Sequence, residues 1–175
     1  MSYELVYLMI SGAGTSRHTP GLVTGLLDLV PEVLCIPTPN AAMTTAMREL
    51  SIIPGNRVVE AYFDAAIRPH PRFGVVLFAP CTFNSLNKLG AAIADNLPLA
   101  ITAEAIGRGT PVIVAPSLNA PLARHPRVAQ SIAALTEWGV TVIPQADEDR
   151  GSVMAPIETI LAEVARAIKI DGPRE

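Results

Sequence analysis

Five short runs of uninterrupted apolar residues punctuate this chain, and between them the hydrophobic pattern switches to helical spacing. The runs lie in Glu4–Ser11, Val33–Pro37, Gly74–Ala79, Pro111–Ala115 and Val140–Ile143, all rich in Val, Ile and Leu. A strand with one wet face alternates polar and apolar residues. A strand that is apolar throughout must be covered on both faces, which is the condition of a parallel sheet with helices above and below it. Helices are predicted at Thr19–Val30, Ala41–Leu50, Ser85–Asn96, Pro98–Gly107, Ala120–Trp138 and Pro156–Ile170. Leu86, Leu89 and Ile93 fall on one helical face, and Ile157, Ile160, Leu161, Val164 and Ile168 form a second apolar stripe. The alternation predicts a three-layer α/β fold around a mostly parallel sheet, with Val75, Leu77, Leu86, Val112, Val114 and Val142 in its core. Neither a linker nor an internal repeat divides residues 1–175, so one domain is expected. Ser51–Arg72 breaks the pattern and reads as a long loop with one short extended or helical piece; Asp171–Glu175 reads as a frayed tail.

Composition narrows the partners. Half of the 175 residues are hydrophobic and only 17% are charged, too few to cover the surface, so contact between copies of the chain is expected to hide part of it. No apolar stretch reaches the roughly 20 residues of a membrane span, and Met1-Ser2-Tyr3-Glu4 lacks the basic start of a signal peptide; a cytoplasmic protein without a membrane partner is expected. A net charge of −3 with no Lys/Arg cluster removes the electrostatic footprint of a nucleic-acid binder. Cys35 and Cys81 sit at or beside predicted strands and read as free buried thiols, and no His/Cys spacing suits a metal.

Function is expected just beyond the strand ends, where open α/β sheets collect their ligands. Two proline-led segments mark that edge: Ala79-Pro80-Cys81-Thr82-Phe83-Asn84-Ser85 and Ala115-Pro116-Ser117-Leu118-Asn119. Each follows an apolar run and ends in small polar residues that hand over to a helix. The first strand likewise runs into Ser11-Gly12-Ala13-Gly14-Thr15-Ser16, where glycines let the backbone approach an anion and a helix start offers N–H groups. This turn is neither GxGxxG nor a Walker loop. Thr38-Pro39-Asn40 ends the second strand with another hydroxyl. Two such termini side by side can hold one phosphate, which points to a mononucleotide.

The same segments resemble the flavin-dependent cysteine decarboxylase family, whose members act on phosphopantothenoylcysteine or on peptidyl cysteines. Pro80-Cys81-Thr82-Phe83-Asn84-Ser85 is similar to the family's PASANT segment. Leu86-Asn87-Lys88-Leu89-Gly90 through Ile93-Ala94-Asp95-Asn96-Leu97 resembles its NTLNKIAxGIADNL continuation, Pro116-Ser117-Leu118-Asn119-Ala120-Pro121-Leu122 its PxMNxxM, and His125-Pro126 the HP that follows. The resemblance implies a flavodoxin-like Rossmann fold and FMN held by Gly12, Ala13, Gly14, Thr15, Thr38, Thr82, Phe83, Asn84, Ser85 and Ala115. It implies homotrimers, or homododecamers built from trimers, with the flavin at a subunit boundary. It also implies oxidation of a small-molecule or peptidyl cysteine to a thioaldehyde-type species that loses carbon dioxide to give an enethiol. Asn84 would orient substrate or flavin, and Asn119, Leu118 and Leu122 would meet the substrate.

Several residues depart from the family pattern. Ala66 stands where the family carries its catalytic histidine, and His70 is the nearest imidazole to that position; with Asn84 it is the catalytic candidate. His18, in the phosphate turn, could pair with the FMN phosphate. Leu118 and Leu122 replace methionines and Ala123 a tryptophan, and Gln145–Ala155 lacks the cysteine that the coenzyme A pathway enzyme carries, reading as solvated loop. Two alternatives follow: a flavin prenyltransferase-like protein, against which Asn84 weighs because those enzymes carry lysine there, and a non-catalytic FMN-binding relative.

Overall fold

The computed structural model describes residues 3–43, 46–68, 70–148 and 151–169. Six parallel strands form one sheet: β1 (Leu5–Ile10), β2 (Glu32–Pro37), β3 (Asn56–Val58), β4 (Val75–Cys81), β5 (Val112–Pro116) and β6 (Thr141–Val142), in the order β3-β2-β1-β4-β5-β6. The chain winds outward from β1 to β3, then returns to the other side of β1 for β4. The strand order therefore reverses between β1 and β4, the position at which such sheets leave a crevice at their carboxyl edge.

Strand residues alternate between two cores. Val6, Leu8 and Ile10 of β1 face one layer with α1 (Thr19–Leu27), α2 (Ala46–Leu50) and α7 (Ile157–Ile168). Leu5, Tyr7 and Met9 face the other with α3 (Phe83–Gly90), α4 (Leu97–Arg108) and α6 (Pro126–Glu137). Every residue of β1 and β4 is buried, as continuous apolar runs require. This is a flavodoxin-like three-layer α/β fold, as expected. Of the six expected core residues only Val142 is partly exposed, because β6 is short and lies at the sheet edge.

The Ser51–Arg72 segment holds the short extended piece expected of it, β3, which extends the sheet by pairing Asn56, Arg57 and Val58 with Val33, Leu34 and Cys35 of β2. Three expectations are corrected. The Ser85–Asn96 helix begins at Phe83, two residues earlier, and stops at Gly90, after which Ala92 takes a positive φ of 55°. The Ala120–Trp138 helix is two: α5 (Ala120–Ala123) and α6, broken where His125 adopts an extended conformation ahead of Pro126. The Gln145–Ala155 loop holds an antiparallel hairpin, β7 (Ala146–Glu148) with β8 (Gly151–Val153). The tail Asp171–Glu175 lies outside the described residues.

The layer that carries the polar crest is fixed by a close helix contact. A Cβ on Gly90 would lie 2.7 Å from Ser131 Cα, so only glycine lets α3 meet α6 this closely. Beside it Ser131 Oγ donates to Asn87 Oδ1 (2.8 Å), and Asn87 Nδ2 donates to the Phe83 carbonyl (2.9 Å).

Candidate functional site

The carboxyl edge of the sheet is stitched by backbone hydrogen bonds that continue the ladder past the strands. Thr38 N donates to the Ile10 carbonyl (2.8 Å), Ser11 N to Pro80 (3.0 Å) and Ser117 N to Cys81 (2.8 Å). The turns after β2, β1 and β5 thereby stand in fixed register with one another and with the end of β4. Their side chains add a hydroxyl network: Ser11 Oγ donates to Ser85 Oγ (2.8 Å), Ser16 Oγ to the Ser11 carbonyl (3.0 Å), and Thr82 Oγ1 to Ser85 Oγ (3.4 Å). Ser11, Ser16 and Ser85 are buried, so these bonds satisfy groups that water cannot reach.

A cavity of about 250 Å³ opens beside this network. Gly12, Thr38, Thr82, Asn84 and Ser85, five of the residues expected from sequence, line it. Gly12 keeps a tight approach open: a Cβ would sit 3.3 Å from the Asn40 backbone, so a side chain there would press the Thr38–Ala41 turn back by a few tenths of an ångström. Thr82 is the N-cap of α3 in extended conformation, leaving the N–H groups of Phe83, Asn84 and Ser85 without intrahelical partners at the positive end of the helix dipole. Asn84 is exposed and its amide is free to act as donor or acceptor.

Asn40, Lys88, Asp95 and Asn96 also line this cavity, and sequence reasoning assigned them no role. Lys88 Nζ pairs with Asp95 Oδ2 at 2.5 Å, and Asn96 Oδ1 caps α4 by accepting from Leu99 N (3.2 Å). The available signal was the helical step itself: Lys88 lies one turn beyond Asn84 on α3, and Asp95-Asn96 opens the next helix.

The remaining expected residues are distributed around the cavity. Ala13 and Gly14 complete the first turn, where Ala13 N donates to Ser16 Oγ (3.1 Å). Thr15 turns away from the first cavity, bonding Ser117 Oγ at 2.7 Å, and lines a second cavity of about 370 Å³ with Arg17, His18, Met154 and Glu158. His18 thus stands on the far flank of the turn from Thr38. Phe83 is partly buried and meets the His125 ring edge-on at 5.3 Å. Ala115 is fully buried within β5. In the turn after β5, Leu118 is buried and its carbonyl accepts from Gln145 Nε2 (3.0 Å), Leu122 is half-exposed, and Asn119 Oδ1 accepts from Leu122 N (3.1 Å), leaving its Nδ2 uncommitted.

His70 is not brought to this edge within the chain. It is exposed and two residues from Arg72, whose carbonyl accepts from the Tyr7 hydroxyl (2.9 Å) and whose guanidinium pairs with Glu32, the first residue of β2, at 2.8 Å. That is the amino end of the strands, and β4 spans about 20 Å from there to the crest at ~3.3 Å per residue. Ala66 N donates to Asp64 Oδ1 (2.8 Å), and its methyl packs on the second core. The imidazole beside the crest is His125, with Nδ1 accepting from Arg127 N (3.1 Å) at the start of α6.

Burial decides the thiol chemistry. It raises the Cys81 thiol well above its ordinary value and pushes Cys35 up to about 12, so both stay protonated and inert although Cys81 adjoins the cavity. Among the described residues no cluster of His, Cys, Asp or Glu could hold a metal, and no helix is long and apolar enough to cross a membrane.

Residues 2–169 match the profile of the Flavoprotein family. A phosphopantothenoylcysteine decarboxylase of Mus musculus is 33% identical over 104 residues, covering 56% of this chain and 50% of that one. A coenzyme A biosynthesis bifunctional protein CoaBC of Thermococcus kodakarensis is 25% identical over 178 residues, 97% of this chain and 44% of that one. The chain therefore spans about half the length of these curated relatives. Among solved structures, the FMN binding protein AtHal3 superposes with a TM-score of 0.79 at 20% identity, covering 97% of this chain and 99% of that one. The peptidyl-cysteine decarboxylase EpiD does so with 0.77 at 18% identity, covering 93% and 98%.

Proposed function

Because the chain belongs to the Flavoprotein family, we propose that it binds FMN and oxidatively decarboxylates a cysteine-bearing substrate. The observation that carries this is the cavity at the β1/β4 reversal, lined by hydroxyls, three asparagine amides, the Lys88 ammonium with its Asp95 partner, and the N-terminus of α3. That donor set fits FMN. Thr38 and the Gly12–Gly14 turn would hold the phosphate, since hydroxyl and backbone donors converge there. Thr82, Ser85 and Asn84 would meet the rest of the cofactor, and Lys88 brings positive charge, partly balanced by Asp95.

Bound FMN supplies the two-electron oxidation that makes loss of carbon dioxide accessible. The chain's own groups bind and orient. Asn84 offers an N–H donor and a carbonyl acceptor to flavin or substrate from an exposed, helix-anchored position. Asn119, its Oδ1 tied to the α5 backbone, presents Nδ2 to the substrate carboxylate. Leu118 and Leu122 provide apolar contact. Whole-chain expectations follow: residues 1–175 act as one flavin domain, and copies associate through exposed apolar residues such as Met43, Ile52 and Phe63.

Ala66 favours a second reading, an FMN protein without turnover, because no histidine lines the first cavity among the described residues. The visible spectrum of the purified protein, identification of the released chromophore, and carbon dioxide release from a cysteine-terminated peptide and from phosphopantothenoylcysteine decide among these. FMN with turnover supports the first reading, and FMN without turnover the second. A colourless protein that fails to bind added FMN removes both.

A further inference from the structure

A third cavity, about 470 Å³, opens at the opposite edge of the sheet, where β5 and β6 begin. It is within the size range of small-molecule sites. The helix α4 starts beside Asn96, at the first cavity, and ends at Gly109, at this one. Its 12 residues hold the two apart by about 18 Å at 1.5 Å per residue. Nothing assigned to the flavin or to its substrate reaches this edge.

Three helices end on the third cavity. Gly109 caps α4, Trp138 caps α6, and Arg166 and Ala167 stand in the last turn of α7. Each brings the negative end of its dipole, so a cation is favoured there and an anion is not. The mouth is open: a Cβ on Gly109 or on Gly139 would meet nothing within 4 Å. Val112 and Ile106 give the interior an apolar side.

Two side chains say which kind of cation fits. Trp138 lines the cavity and is 43% exposed, and an indole face attracts a cation and stacks a flat one. Glu163 is the only acid among the described lining residues and Arg166 the only base. The two form an ion pair, but unequally: the Arg166 side chain is 72% exposed and that of Glu163 24%. An exposed pair of this kind holds weakly, and a carboxylate has lone pairs for more than one donor. Arg108, the last residue of α4, does not compete, because it is committed to Glu104 and to the Pro71 carbonyl.

We propose that this cavity is a binding site for a flat organic cation, an aryl amidinium or a protonated aromatic amine, whose ring lies against Trp138 and whose N–H groups donate to Glu163. The site stands or falls independently of the flavin assignment.

Trp138 is the only tryptophan in the chain, so its emission reports on this cavity. The test titrates the purified protein with benzamidine, and with benzoate and benzyl alcohol as the anionic and neutral forms of the same ring. Calorimetry on the same samples gives each affinity without reliance on emission. The expected result is saturable binding of benzamidine at millimolar concentration or below, with the two controls at least tenfold weaker. Glu163→Gln should weaken benzamidine roughly tenfold or more, as loss of a charge-assisted bond implies. Arg166→Gln should tighten it, because the carboxylate loses its competing partner. Quenching that never saturates, equal response to all three probes, or a Glu163→Gln variant that binds as wild type does would overturn the site. So would a changed sedimentation coefficient in Glu163→Gln or Trp138→Phe, which would make this face a contact between copies of the chain.

Discussion

Ser11 and Ser85 share a 2.8 Å hydroxyl–hydroxyl hydrogen bond across the junction of β1 and β4, where the strand order of the sheet reverses. Both side chains are buried, and Ser85 also accepts from Thr82. Ser85→Ala leaves the Ser11 hydroxyl buried without its acceptor, which costs about 1–3 kcal/mol. Denaturant unfolding should register a loss in that range, and FMN retention should fall with it because the α3 N-terminus loses its anchor to β1. Unchanged stability would remove the network from the fold's support.

Thr38→Val replaces a hydroxyl at the cavity by an isosteric methyl. The backbone bond from Thr38 N to Ile10 remains, so unfolding should move little. FMN affinity should weaken by roughly 0.5–1.5 kcal/mol, and by more where the bond is charge-assisted. Equal retention of FMN after gel filtration would take Thr38 out of the site.

Asn84→Asp separates fold from function. A carboxylate in the first turn of α3 meets the positive end of the helix dipole, worth about 0.3–1 kcal/mol, so thermal stability should hold or rise. The same change replaces an amide donor by an acceptor-only group, so the flavin spectrum or turnover should change. A variant with wild-type spectrum and rate would leave Asn84 without its assigned role.

The two thiols should resist a thiol reagent at pH 8 in the native state and react in denaturant, because burial keeps them protonated. Their stability effect has a defined direction. Cys35 titrates at its ordinary 9.0 when unfolded and at about 12 when folded, and Tyr7 moves from 10.0 to about 12, both through burial. Above pH 9 the unfolded chain loses protons that the folded chain keeps, so stability is full below pH 9 and declines as pH rises toward 12. A midpoint of unfolding that is flat between pH 8 and 11 would contradict this.

The elements legible in the sequence were those whose burial is written in composition. Leu5–Ile10 and Val75–Cys81 are covered on both faces and had to be apolar throughout. Within Ser51–Arg72 the short extended or helical piece could be expected but not placed, because Asn56-Arg57-Val58 has no apolar run and is a strand only through its pairing with β2. The β7–β8 hairpin was hidden because Ala146-Asp147-Glu148 and Gly151-Ser152-Val153 carry no apolar run either. The α5–α6 break was legible in His125-Pro126 and overridden by the surrounding helical pattern. In the site, turn residues at the strand ends were found because strands end abruptly there. Lys88 and Asp95 reach the cavity from a helix and its exit, where only the fold reveals which face looks inward. His70 was chosen for its nearness in sequence to Ala66, yet it precedes β4 rather than following it, and the length of that strand separates it from the crest.

One short turn, Gly12 to His18, walls two cavities: Gly12 lines the first, and Thr15, Arg17 and His18 line the second. Ligands that share a wall are thermodynamically linked when binding of one alters that wall. If occupying one side shifts or stiffens that turn, the affinity on the other side changes by some factor, and the reverse order of binding must return the same factor. Occupancy of the first cavity and of the second would then be two readouts of a single seven-residue segment's conformational freedom.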